Sequence, residues 1–413
     1  MRHGELIDRL AVLVGALPPV PLPTGAAEPL AVACREARTA FGAAAVSVAV
    51  IDGDLLHYVA ADGEGAAAIV GTTLPVGRGL AGYAVVTGQS LTVDRPTDDP
   101  RFARDVADRT GFVPASLTVV PIMAGVDDAA IVLGVLSVLD RDVDDLPAWS
   151  EPFHDRRLGA VPLGDLGSTI TRDWAFGDRS GRGVRVAVID SGIESGHPMV
   201  GRVDRAVVVE RDETADHGIR FVEGPHDDLY GHGTACAGVI RSIAPEVELV
   251  SVRVLASNLK GSAFAFAHGL EWCLDHDVDI VNLSLSTSNE TYAETFWDLL
   301  DRAAFERVML VSAMNNDRKR SIPSEFAGVF SVASSPGSDR ETFWWNPGGP
   351  AEWGAPGIDV PLAWNGGGTI SATGNSFAAP VIAGHLARIV AAHPGITPWQ
   401  ARTVLSALAA NAG

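Results

Sequence analysis

Two kinds of hydrophobic pattern divide the chain. In the first third, apolar residues come in short segments that switch between helical and alternating spacing. Leu30, Cys34, Ala37 and Phe41 recur at helical intervals and predict a helix over Pro29–Phe41. Ala45–Ile51 and Leu55–Val59 read as two strands around a turn at Asp52–Gly53–Asp54. Gly79–Thr87 predicts a short helix, Ser90–Asp94 an extended piece, and Asp99–Thr110 a polar helix with Pro100 at its start. Ser116–Met123 and Ile131–Leu139 are strongly apolar and β-rich. Together these predict an α+β unit, an antiparallel sheet with helices on one side.

From Gly183 the pattern changes. Val184–Ile189, Val247–Val252, Val278–Leu285, Arg307–Ser312 and Gly328–Ala333 are continuous apolar runs, with helical patterns over Gly233–Ile243 and Ser262–Asp275 between them. Continuous apolar strands alternating with helices predict a doubly wound, mostly parallel α/β sheet. In such sheets functional groups collect at the carboxyl ends of strands, and Asp190 closes the first run.

Composition narrows the field. A chain of 413 residues suffices for two or three domains, each with its own core. An apolar fraction of 47% and a mean hydropathy of +0.18 exclude a disordered chain. No stretch reaches the ~18 apolar residues of a membrane span, so no membrane partner is expected. A net charge of −20 argues against a nucleic-acid partner. The three cysteines, Cys34, Cys236 and Cys273, form no disulfide framework and fit a reducing, cytoplasmic compartment. Leu10–Leu17 is apolar, but Glu5 and Asp8 stand where an export signal carries positive charge, and four prolines follow from Pro18 to Pro23. Glu5–Leu17 therefore reads as a short helix stopped by proline.

All nine tryptophans lie at or after Trp149, and the acidic run Asp140, Asp142, Asp144, Asp145 precedes Pro147. The expected divisions are an N-terminal helix and proline-rich lead over 1–24, a first domain over 25–142, a linker over 143–175 and a second domain over 176–413.

Five stretches of the first domain stand in a telling order: Val76–Tyr83, Thr87–Leu91, Asp98–Phe102, Ser116–Pro121 and Leu133–Leu139. They resemble a GAF domain, a small sensor module, over roughly 25–142. The resemblance implies a small-molecule ligand, though no cyclic-nucleotide signature is present. The proline-broken Asp140–Pro152 departs from the long helix that usually closes such domains. Cys34 and His57 read as structural.

Three stretches of the second domain carry chemistry: Val188–Ile193 around Asp190, Gly231–Gly238 around His232, and Gly374–Pro380 around Ser376. Each sets a polar residue at a tight glycine turn beside a regular element. They supply an acid, a base and a nucleophile in the chain order Asp, His, Ser. A serine hydroxyl needs a base to take its proton. His232 has the right range, and Asp190 would fix its tautomer. Ser376 is expected to open a helix with Pro380 in its first turn, where amide donors face developing negative charge. The small residues Gly233, Ala235, Ala237 and Gly238 let the His232 helix pack close under the site.

These residues resemble the subtilisin-like serine peptidases over roughly 176–413. Val252–Leu255 with Gly261 and Gly269–Trp272, Val281–Leu285, and Gly354–Gly357 agree with the same family. The resemblance implies an endopeptidase acting on a protein or peptide through an acyl-enzyme. It makes Asn315 the oxyanion donor, with Asn316 the alternative by a one-residue register change. It makes Ser284, Leu285, Ser286 and Met314 substrate-binding. Met314 replaces a usual glycine, and Ser286–Thr287 a usual glycine pair, so a narrowed first specificity pocket is expected. Cys236 lies one helical turn after His232, where the proteinase K branch also has cysteine, and reads as a small buried hydrophobe rather than a reactive thiol. His197, His226 and His268 read as structural. Calcium is common in the family and stays open, although Glu223, Asp227 and Asp228 form the one local acidic cluster and read as a solvated loop. A sensor-like module in front of a peptidase suggests regulated proteolysis. A narrow processing peptidase for one partner peptide and a non-catalytic interaction protein retaining the fold stay open beside it.

Overall fold

The computed structural model describes residues 27–124, 131–140, 150, 153, 170–212, 214–215 and 218–412. The helix expected over Glu5–Leu17, the proline-rich lead and most of the 143–175 linker lie outside the described residues. The chain divides into two compact units, Met1–Asp145 and Leu146–Gly413.

The N-terminal unit runs α1 (Ala27–Phe41), β1 (Ala45–Asp52), β2 (Leu55–Gly63), α2 (Ala66–Ile69), β3 (Thr73–Pro75), α3 (Gly79–Thr87), β4 (Leu91–Asp94), α4 (Arg104–Thr110), β5 (Ser116–Ala124) and β6 (Ile131–Leu139). Its strands form one antiparallel sheet in the order β3-β2-β1-β6-β5-β4. The expectation of helices on one side is corrected. On one face, Leu30, Cys34, Ala37 and Phe41 of α1 pack with Val46, Val48 and Val138. On the other, Leu80, Ala81, Ala84 and Val85 of α3 pack with Ala49, Leu56, Val119 and Val135. The reason lies in β1, where residues 45–49 are buried without a break, so both faces demand cover. The helix expected over Asp99–Thr110 is confined to α4, because Asp99 Oδ1 accepts from the backbone N–H and the Nε of Arg101 at 2.8 and 2.9 Å and makes a turn instead.

The C-terminal unit runs α5 (Arg172–Phe176), β7 (Arg185–Asp190), β8 (Arg205–Arg211), β9 (Ile219–Glu223), α6 (His232–Ile243), β10 (Glu248–Arg253), α7 (Ala263–Leu274), β11 (Ile280–Leu283), α8 (Ala293–Glu306) and β12 (Met309–Ala313). It continues with β13 (Phe330–Ser335), β14 (Trp344–Trp345), β15 (Trp353–Pro356), β16 (Val360–Trp364), β17 (Gly368–Ala372), α9 (Asn375–Ala392) and α10 (Pro398–Ala407). The main sheet has the order β14-β15-β13-β12-β11-β7-β10-β8-β9. Its seven inner strands are parallel, and β14 and β9 are antiparallel edges. The core of α6 and α9 covers one face, that of α7 and α8 the other. The strand expected to reach Leu285 stops at Leu283, and the hydroxyl of Ser284 just beyond it donates to the Ser376 carbonyl. Strand β7 ends on Asp190, β12 ends just before Met314, and α6 and α9 begin at the same carboxyl edge. The topology thus gathers the chemistry there.

Candidate active site

Asp190 is fully buried at the end of β7. Its carboxylate accepts the Ser191 backbone N–H at 2.7 Å and meets Nδ1 of His232 at 2.8 and 3.0 Å. With Nδ1 engaged, Nε2 is the ring atom left to handle a proton. His232 opens α6, and the approach of that helix to the Asp190 turn depends on Gly233. A Cβ there would stand 2.0 Å from the Gly192 carbonyl oxygen. Burial opposes charge on the His232 ring, but the Asp190 carboxylate and, further off, that of Asp228 outweigh it and raise its pKa.

Asp228 is the support that sequence reasoning missed. It is buried, not part of a solvated loop. Oδ1 accepts from Ser191 Oγ and from the backbone N–H groups of Tyr230 and Gly231, at 2.7, 2.9 and 2.8 Å. Oδ2 accepts from the N–H and hydroxyl of Thr234 at 2.9 and 2.6 Å. One carboxylate therefore ties the turn after Asp190 to the first turn of α6. The signal was the spacing Asp228, Thr234, six residues apart across the His232 turn.

Ser376 is the second residue of α9 and is half-buried. Pro380 falls in the second turn, not the first. Lacking an N–H, it leaves the Ser376 carbonyl without its helical partner. That oxygen instead accepts Ser284 Oγ at 2.7 Å and the Cys236 thiol at 3.6 Å, which docks the helix start onto β11 and α6. The Phe377 ring lies 5.2 Å from the His232 ring. Cys236 is buried, and burial pushes its pKa well up, so it remains a thiol with a structural bond.

The two asparagines after β12 behave differently. Asn315 turns its Oδ1 to the N–H of Asp317 at 2.9 Å, a local turn bond. Asn316 Oδ1 accepts the Asn375 N–H at 2.9 Å, which aims its amide across the start of α9. The point where a Cβ on Gly374 would stand is 3.3 Å from Ser376 Oγ and 3.5 Å from Asn316 Nδ2. Hydroxyl and amide thus flank one small space that a glycine keeps open. Asn375, fully buried, braces it: Oδ1 accepts the Ser334 N–H at 2.8 Å and Nδ2 donates to the Met314 carbonyl at 3.1 Å.

Of the residues expected to meet substrate, Ser284, Leu285 and Ser286 follow β11, and Ser284 bonds the Ser376 carbonyl. Met314 does not stand open. It is 2% exposed and packs with Phe153, Ala333 and Ala351. Phe153, from before the expected domain start, fits against Gly354, where a Cβ would lie 2.3 Å from its ring. This residue gave no signal in the sequence.

Other histidines are held structurally. His197 is buried, with Nε2 on the Gly368 carbonyl at 2.9 Å. His226 bonds Ser251 Oγ, and burial pushes its pKa down to about 4. In the acidic cluster Glu223, Asp227 and Asp228, the protein's own donors engage both Asp228 oxygens. Among the described residues, the His/Cys/Asp/Glu group close enough to share an ion is Asp190, His232 and Cys236, and its nitrogen and sulfur donors do not suit calcium. No helix among the described residues is long and apolar enough to cross a membrane.

The chain is similar to known proteins. The subtilase family profile matches residues 181–413, and the GAF domain profile matches residues 27–161. The chain is 31% identical over 247 residues to a thermostable alkaline protease of Halalkalibacterium halodurans, covering 56% of this chain and 64% of that one. It is 28% identical over 284 residues to subtilisin E of Bacillus subtilis, covering 64% and 68%. A crystal structure of a cold adapted subtilisin-like serine proteinase aligns with a TM-score of 0.44 and 25% identity, covering 55% of this chain and 82% of that one.

Proposed function

The chain belongs to the subtilase family, and from that premise we propose that it is a serine endopeptidase whose N-terminal GAF domain regulates it. The observation that carries the peptidase reading is the Asp190-bound His232 packed against the helix start that holds Ser376. Ser376 Oγ attacks the scissile carbonyl carbon while His232 Nε2 takes its proton. Asp190 holds the ring by Nδ1 and favours the imidazolium that forms. The carbonyl oxygen, now an oxyanion, takes hydrogen bonds from Asn316 Nδ2 and the Ser376 N–H. Collapse breaks the C–N bond, and the departing amine receives the proton from His232. Water then repeats the sequence on the acyl-enzyme and restores Ser376.

In this reading Asn316 replaces Asn315 as oxyanion donor, supported by its amide nitrogen beside the Gly374 space and the Ser376 hydroxyl. Ser284 through Ser286 present backbone to the substrate. Three free, buried cysteines support action in a reducing, cytoplasmic setting.

Casein and a defined peptide library test the activity. Cleavage by the chain that disappears in Ser376→Ala supports the peptidase. No cleavage by either folded protein returns the non-catalytic reading. Regulation is tested by comparing the full chain with a chain beginning at residue 146. Equal rates, with and without a small-molecule extract of cells, would sink it.

A further inference from the structure

Between the sheet and α2, α3 and α4 of the N-terminal unit lies a cavity of about 730 Å3, counted to its open mouth. Its floor is the sheet face opposite α1, and its walls include Leu80, Phe102, Val106 and Phe112. Its lining is mostly apolar with a few polar groups, as in small-ligand sites. Among the described lining residues Glu64 is the one charged group, and it stands at the exposed rim.

The polar groups of the floor are unusual. Ser47 and Ser137 face each other across β1 and β6, and Tyr58 stands beside them on β2. They are 6%, 5% and 7% exposed. None of the three hydroxyls hydrogen-bonds to any described residue. Thr110, also in the lining, is by contrast satisfied by the Ala107 carbonyl. The three hydroxyls line one apolar space with no protein partner among the described residues, so their hydrogen-bonding capacity is open to whatever fills it. Burial pushes the Tyr58 phenol up to about 12, so it stays a neutral donor.

We propose that this cavity binds a small, uncharged, largely apolar molecule of the substituted phenol or indole class, whose polar group is held by Ser47, Ser137 and Tyr58. The proposal rests on reading the N-terminal unit as a ligand-sensing module and names what it senses. A phosphate or carboxylate ligand is disfavoured, because among the described residues no arginine, lysine or histidine lines the site to pair a buried anion.

Calorimetric titration of the full chain tests it, with 4-ethylphenol as probe, ethylbenzene as the same body without the hydroxyl, and cyclic AMP as an anion. The expected result is one saturable site for 4-ethylphenol with Kd below about 1 mM. Ethylbenzene should bind about fivefold more weakly, and Tyr58→Phe and Ser47→Ala/Ser137→Ala should weaken 4-ethylphenol by about threefold or more. Cyclic AMP should give no saturable heat. These substitutions remove one or two atoms each, and circular dichroism checks that the variants fold. The proposal is overturned by no saturable binding of 4-ethylphenol, by variants that bind it as the parent does, or by tighter binding of cyclic AMP. Binding is read directly. A chain that binds the probe without a change in peptidase rate keeps this site and loses regulation, whereas an inactive chain that binds loses only the peptidase reading.

Discussion

The two candidate sites, one in each unit, hold their polar groups in different ways. Around His232, the carboxylates of Asp190 and Asp228 and the amide of Asn375 are each engaged by protein donors or acceptors, several at once. In the N-terminal unit, the hydroxyls of Ser47, Tyr58 and Ser137 line the cavity and have no partner among the described residues. A site that does bond chemistry must hold its groups in place before substrate arrives. A site that senses a ligand can leave its hydrogen bonds to be completed by that ligand. On the readings proposed above, the difference separates a reactive centre from a receptive one within a single chain.

The sharpest break of this comparison is Ser376→Ala, which should lower kcat by about 10⁶, a magnitude measured in subtilisin itself. Steady-state peptide hydrolysis checks it. Next is Asn316→Ala, expected to lower kcat by about 10²–10³ with KM little changed, again the size found for a subtilisin oxyanion donor. Asn315→Ala should cost less than about tenfold. The reverse order would restore Asn315 as the donor. Third, Asp228→Asn sets an amide NH2 where the carboxylate accepts donors, and should destabilise the C-terminal unit by about 2–4 kcal/mol, read by denaturant unfolding followed through its tryptophans. Fourth, kcat/KM should fall on acidification, because a protonated His232 cannot act as base. Since the His232 pKa is raised, the midpoint should lie above the ordinary imidazole value of about 6.5, and an active Asp228→Asn should move it down. The smallest effect sharpens the contrast from the other side. Ser47→Ala/Ser137→Ala should change basal hydrolysis by less than about twofold, because it removes unpartnered hydroxyls and no support of the reactive centre.

How much of this was legible depends on how local the signal is. Gly79–Thr87 and Ile131–Leu139 match α3 and β6, since each is a single uninterrupted pattern. The gathering of Asp190, His232 and Ser376 at one carboxyl edge was legible because each sits in a short glycine-bounded motif. The different contacts of Asn315 and Asn316 were not, because one makes a local turn bond to Asp317 and the other meets Asn375, 59 residues on. Asp228 looked like a solvated acidic residue because its five donors come from three separate points along the chain. Met314 looked like a pocket wall because its partner Phe153 lies far off in sequence. Pairing across two sheet faces likewise hid the second layer of the N-terminal unit, as β1 carries cover on both sides.

The central claim is that the C-terminal unit holds an assembled nucleophile. Labelling with a fluorophosphonate probe, read by intact mass on the full chain and on Ser376→Ala, addresses it most directly. The account predicts one adduct on the parent chain and none on the variant. A correctly folded parent that takes no label, or a variant that labels equally, would contradict it.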